Sequence, residues 1–125
     1  MNLINKKMIS ENWFHELKDQ FINHFEEIEN SNSEKKIKFK KKEWKRKPNL
    51  KKSSGGGTMT TRYGKIFEKV GVNVSTVHGK LSVNFRNQIP GTKIKSDFWA
   101  SGISIVAHMQ NPYVPSFHFL SLIHI

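Results

Sequence analysis

The stretch Trp99-Ala100-Ser101-Gly102-Ile103-Ser104-Ile105-Val106-Ala107-His108-Met109, the turn Asn111-Pro112-Tyr113-Val114-Pro115, and the return Ser116-Phe117-His118-Phe119-Leu120 decide the fold. In an extended strand, residues two apart share a face. Ile103, Ile105 and Ala107 therefore form one apolar face, while Ser104, Val106 and His108 form the other. After the proline-bracketed turn, Ser116, His118 and Leu120 share a face of the returning strand. If the two strands pair about that turn, His108 and His118 lie opposite or nearly so. Directly opposed residues have Cβ atoms about 4.5–5.5 Å apart, within reach of one shared metal ion or of one ring orienting the other. Two ordinary half-buried histidines fit the same pattern, and a one-residue slip would put the rings on opposite faces. A transition metal usually takes roughly three or four protein ligands, so two imidazoles alone are an incomplete set.

Upstream, Val70, Val72 and Val74 alternate with Gly71, Asn73 and Ser75, a half-buried strand. Asn87 through Lys95 contains Pro90-Gly91 and reads as a turn. The composition changes at Ser53, just ahead of Gly55-Gly56-Gly57. Before it, residues 10–30 read as an amphipathic helix with Trp13, Phe14, Leu17, Phe21, Phe25 and Ile28 at steps of three and four. Ser10 is the expected N-cap, and Asn30-Ser31-Asn32-Ser33 a polar stop. One helix followed by successive strands predicts an α+β fold. The expected architecture is an N-terminal helix and part of a large antiparallel β-sheet flanked by helices, an incomplete domain.

The chain has 125 residues, a 36% apolar share and no cysteine, which excludes disulfides, thiolate metal sites and cysteine nucleophiles. Met1–Trp13 shows no secretory signal, and no apolar run approaches the roughly 18 residues of a membrane span, so a cytoplasmic location is expected. The net charge is +11, but Lys35 through Lys52 holds eleven of the 21 basic residues and one acid, Glu43. That segment alone carries +10 and reads as a solvated connector, with a flap over an anionic ligand or a nucleic-acid tail as alternatives. No recognition-helix, zinc-finger or RNA-binding pattern accompanies the charge, so no nucleic-acid partner is expected.

Other chemistry-bearing residues say less. Gly55–Gly57 could cradle phosphate through backbone N–H groups, but lacks the Gly-Lys-Ser/Thr ending of a P-loop. His78 is placed just past a strand, at a turn, and reads as structural. His15 and His24 stand nine apart on the helix and form no ligand pair. Asp97 is the sole acid after Glu68, which excludes a two-carboxylate hydrolase and leaves no argument for a Ser-His-Asp triad.

Four blocks, taken together, carry a resemblance: Ser54-Gly55-Gly56-Gly57, Phe67 through Gly79 (FEKVGVNVSTVHG), Gly102 through His108 (GISIVAH) and Asn111 through His118 (NPYVPSFH). In order and spacing this sequence resembles the oxygen-dependent coproporphyrinogen-III oxidases over residues 10–119, with the first 53 matching only loosely. The resemblance implies residues 1–53 as N-terminal helix and lysine-rich connector, 54–119 as the first part of the catalytic domain, and 120–125 as a tail foreign to the family. It implies a homodimeric, cytosolic enzyme of haem biosynthesis. Such an enzyme uses molecular oxygen as co-substrate to decarboxylate two propionates of coproporphyrinogen III to vinyls, giving protoporphyrinogen IX. By motif, it implies Ser104 as a substrate contact, His108 and His118 as two of four histidine ligands to a divalent metal cation, and His118 as proton donor. A ring nitrogen cannot bind metal and donate a proton at once, so these two roles of His118 describe different states. The substrate's four carboxylates draw attention to Arg62 and the Lys35–Lys52 segment as an anion-attracting rim.

The family continues past the second histidine with Asn-x-Arg, where this chain has Leu120 and Leu122. Leucine cannot replace an arginine carboxylate clamp. A frameshift or truncated gene would account for the tail, as would a short protein keeping part of the fold for another purpose. The chain as written is expected to be inactive and, with an apolar edge strand at Phe117–Ile125, poorly soluble. A non-catalytic porphyrin or metal binder is the second reading, and a basic nucleic-acid-binding protein the third.

Overall fold

The computed structural model describes residues 1–31, 36, 38–45, 54–80, 88 and 97–124. One helix, α1 (Leu3–Asn30), precedes the strands β1 (Lys40–Lys45), β2 (Ser54–Arg62), β3 (Phe67–Lys80), β4 (Asp97–Met109) and β5 (Phe117–His124). The strands form one sheet in the order β1-β2-β3-β4-β5, each neighbouring pair antiparallel. This is the α+β arrangement that the sequence predicts. The turn expected at Pro90-Gly91 lies outside the described residues.

α1 begins two turns earlier than its periodicity predicts. Asn2 is the N-cap, its side-chain oxygen accepting from the Asn5 backbone N–H at 2.8 Å. Ser10 is instead inside the helix, its hydroxyl donating to the Lys6 carbonyl at 2.8 Å. The cause is local: Leu3, Ile4, Met8 and Ile9 are all exposed, so the first turns present no buried stripe. Of the predicted apolar face, Phe14 and Phe25 are buried and Leu17 and Phe21 pack on the core together with Ile22. Trp13 and Ile28 fall on the exposed flank.

A second correction concerns the connector. Residues 40–45, expected in a solvated loop, form β1, paired with β2 from Lys40↔Thr61 to Lys45↔Gly56. Alternation divides their charge between two faces, and sheet pairing satisfies a backbone that the side chains alone would leave in water. Gly55–Gly57 likewise lie within β2, so Gly56 and Gly57 pair on both sides and form no phosphate loop. Gly55 has φ +146°, a conformation that only glycine adopts without strain.

α1 covers one face of the sheet. Beneath it Val70, Val72 and Val74 of β3 and Ile103, Ile105 and Ala107 of β4 are fully buried with Phe67. The Phe25 ring meets Phe67 edge-on at 5.4 Å, and Phe21 reaches Phe117 and Phe119 of β5 at 6.5 and 6.0 Å. A register shift between Phe67 and Lys69 lets Phe67 and Val70, three apart, both face the core.

Two glutamates tie the helix to the chain beyond it. Glu26 accepts the Phe39 backbone N–H at 3.0 Å. The buried Glu29 carboxylate accepts from three consecutive backbone N–H groups: Lys65, Ile66 at 3.1 Å and Phe67 at 3.0 Å. A side chain at Gly64 would meet this carboxylate, and Gln110 holds the same turn from the end of β4, its Nε2 donating to the Gly64 carbonyl at 3.1 Å.

Glu29→Ala is therefore expected to lower stability by about 2–3 kcal/mol, read as a lower urea midpoint at unchanged slope. A second expectation concerns His15, whose pKa is lowered from 6.5, first by burial and then by Lys18. The folded state binds its proton less readily than the unfolded chain, so this residue destabilises the fold as pH falls below the unfolded value. Thermal melts should show Tm falling from about pH 7.5 to pH 5 more steeply in the wild type than in His15→Gln.

Candidate functional site

Directly paired residues share a face, so the four registers compose into rows that cross the sheet on the side away from α1. One row is Lys40, Thr61, Gly71, Val106, His118; the next is Lys42, Met59, Asn73, Ser104, Leu120; a third is Trp44, Gly57, Ser75, Gly102, Leu122. The middle of this open face is floored mostly by short side chains and glycines. Its paired positions hold no carboxylate. Lys69 pairs with His108 and adds a cation next to the imidazole.

His118 pairs directly with Val106, so His108 is its diagonal neighbour and not its opposite. The two rings still meet: Nε2 to Nε2 is 2.8 Å, with centroids 5.1 Å apart and planes inclined by 6°. The turn sets this register. The Asn111 side-chain oxygen accepts the Tyr113 N–H at 2.9 Å and its carbonyl accepts the Val114 N–H at 3.2 Å, closing a compact reversal. A hydrogen bond between two imidazole nitrogens requires one donor and one acceptor, so the pair shares a ring proton. A cation bound by both nitrogens, at about 2.0–2.1 Å from each, requires the two rings to part from this 2.8 Å contact. Among the described residues no third His, Asp or Glu joins them in a metal-sized group.

Ser104 is half-buried in the adjacent row, between Asn73 and Leu120. Ser104, His108 and His118, the three residues singled out in the sequence, thus lie on one face. Asn73 is the residue that sequence reasoning passed over. Its Oδ1 is buried with no hydrogen-bond partner among the described residues, beside Ser104. The signal was present in Val72-Asn73-Val74, since a polar residue between two core valines must face away from the core.

Other histidines stand apart. His78, expected at a turn, lies within β3, paired with Trp99 and Ser54. His124 pairs with Ala100, six residues beyond His118 and so roughly 20 Å along the strand. His15 is on α1, and with His78, Glu11, Glu43 and Trp99 it lines a cleft of about 560 Å³ on the helix side. The Arg62 side chain lies outside the described residues. Among the described residues no helix is long and apolar enough to cross a membrane.

The fold and this face define an α+β domain whose sheet is buried by a helix on one side and carries serine, asparagine and paired imidazoles on the other. Residues 9–122 match the family model for coproporphyrinogen III oxidase, and the chain belongs to that family. It is 44% identical over 123 residues to the oxygen-dependent coproporphyrinogen-III oxidase of Rickettsia rickettsii (strain Sheila Smith), covering 95% of this chain and 42% of that protein. The proteins of the same name from Rickettsia felis and Rickettsia typhi are each 42% identical, over 93% and 95% of this chain and 41% and 42% of their own lengths. The chain thus spans about two fifths of the relatives that it matches.

An unpaired buried amide oxygen costs about 1–3 kcal/mol. Asn73→Val should therefore raise the urea midpoint by the equivalent of roughly 1 kcal/mol while weakening any ligand that Oδ1 contacts. A drop in stability would mean that Asn73 is satisfied in solution.

Proposed function

We propose that the open face is the substrate-binding floor of an oxygen-dependent coproporphyrinogen-III oxidase. The observation behind this reading is the 2.8 Å imidazole pair one row from Ser104, on a face whose paired positions hold no carboxylate. The substrate is a tetrapyrrole macrocycle with four propionates, which suits a floor whose paired positions hold no acid. In the reaction each of two propionates loses CO2 and becomes a vinyl, releasing two electrons and a proton, and molecular oxygen accepts the electrons. The product is protoporphyrinogen IX.

In this reading Ser104 and Asn73 hydrogen-bond the substrate, and His118 donates a proton when its ring is an imidazolium. His108 holds His118 in place through the shared proton. His108 and His118 would also hold a divalent cation, which when bound supplies positive charge at a substrate carboxylate. A cytoplasmic location, homodimeric assembly and the absence of a nucleic-acid partner belong to the same proposal. So does the division into a helix and connector (1–53), a first catalytic part (54–119) and a distinct tail (120–125). Leu120 stands opposite Ser104 and Leu122 opposite Gly102, both exposed on the floor, so these positions offer a carboxylate nothing. The 125-residue chain is therefore read as binding substrate without converting it.

Two measurements test this. Anaerobic titration of coproporphyrinogen III should show binding, tightened by Leu122→Arg through a restored charged contact, and aerobic incubation should yield no vinyl product. Protoporphyrinogen IX formation by the unaltered chain would overturn the second expectation. Calorimetry with Zn2+ at neutral pH should give a signal that vanishes in H108A/H118A and fades as acid protonates the rings. A signal unchanged in that variant would remove the paired-imidazole site.

A further inference from the structure

We infer that Lys40 and Lys42, on β1, bind carboxylates of a ligand whose opposite side lies at His118 and Ser104. The inference rests on the substrate floor proposed above and assigns its far border.

Lys40 is in the same row as His118, and Lys42 in the same row as Ser104. Both lysines are exposed, and among the described residues neither has an ion pair. Their neighbour Lys41 is exposed as well but differs in its ion pair. It faces the helix side, where Glu43 lies at 3.9 Å. Strand alternation thus puts the one carboxylate of this six-residue strand on the helix side with Lys41 and Lys45, and leaves Lys40 and Lys42 on the face without it. Two like charges on one strand face repel each other, and an anion between or above them relieves that repulsion.

The dimension agrees. Four strand spacings of about 4.8 Å separate β1 from β5, roughly 19 Å in all, and long lysine side chains reach inward from one end. The floor between is Thr61, Gly71 and Val106 in one row and Asn73 and Ser104 in the other, with Met59 as its one long side chain. Trp44, also on β1, places Cζ2 3.1 Å from where a Cβ on Gly57 would stand, so an indole lies on the same border. A macrocycle with acid groups around its rim, held at His118 and Ser104, directs its remaining carboxylates across this floor to the lysines. Because the lysines touch only spectator carboxylates, they select for ligands with several acid groups and take no part in bond breaking.

The test is fluorescence titration of coproporphyrin III, the stable oxidised tetracarboxylate, into the full chain at low salt. Lys40→Ala with Lys42→Ala should weaken binding roughly tenfold and flatten its salt dependence, whereas Lys41→Ala with Lys45→Ala should stay within about twofold. Lys40→Arg with Lys42→Arg should retain affinity, and the dicarboxylate protoporphyrin IX should lose less than coproporphyrin when the two lysines are removed. Equal losses in the two alanine pairs would reduce the effect to net charge and overturn the inference. Unchanged affinity in K40A/K42A, with binding still lost in H108A/H118A, would overturn it while leaving the site in place. No binding of coproporphyrin by the wild type would remove the floor and the inference together.

Discussion

Strand register is the constraint on which this protein's chemistry depends. Each of the four pairings is antiparallel, and each keeps residues of one face together, so one alternation runs from β1 to β5, interrupted at the register shift between Phe67 and Lys69. A slip of one residue at the β4–β5 turn would carry His118 to the helix side and bring Phe117 and Phe119 out to the open face. Ring contact guards against it: Phe117 and Phe119, although exposed, meet the Phe21 ring of α1 at centroid distances of 6.5 and 6.0 Å. Apolar packing on one face thus fixes the positions of polar groups on the other.

The helix itself is held by an interaction of a different kind. Glu29 is in the last turn of α1, where the helix dipole disfavours a negative charge. Three backbone N–H donors from the β2–β3 turn more than offset this, as hydrogen bonds to an ionised acceptor are the strong ones. The contact joins residues 36 to 38 positions apart, so it closes a long loop and orients α1 over the valine rows of β3 at once. Gln110 adds the end of β4 to the same turn, which brings helix, β3 and β4 to one corner of the domain.

The sequence carried the parts of the structure that follow from alternation. β3, β4 and β5 could be read from valine, isoleucine and phenylalanine spacing, and parity put Ser104 and His108 on one face of β4, while the register that brings His118 to that face stayed open. Features set by distant partners could not be read this way. Lys18 and Glu29 are buried charges on α1, and a periodicity that scores charge as exposed passes over both. β1 was hidden by its lysines because it exists through pairing with β2, not through its own β propensity. The diagonal placement of the imidazoles needed the geometry of Asn111, and the start of α1 needed an asparagine cap in front of residues that never enter the core.

The two borders of the sheet are chemically unlike. β1 carries Lys40, Lys41, Lys42 and Lys45, while Phe117 through Ile123 in β5 contains no acid, lysine or arginine. Two β1 borders repel each other, and a lysine-studded strand is a poor template for any neutral one. Among the described residues nothing pairs with the outer side of β5. The sheet is consequently polar in the sense that a crystal face is: it has one direction in which a strand can be added and one in which addition is suppressed. The border bearing His118 is thus the side that favours a further strand, and the lysine border the side that discourages one.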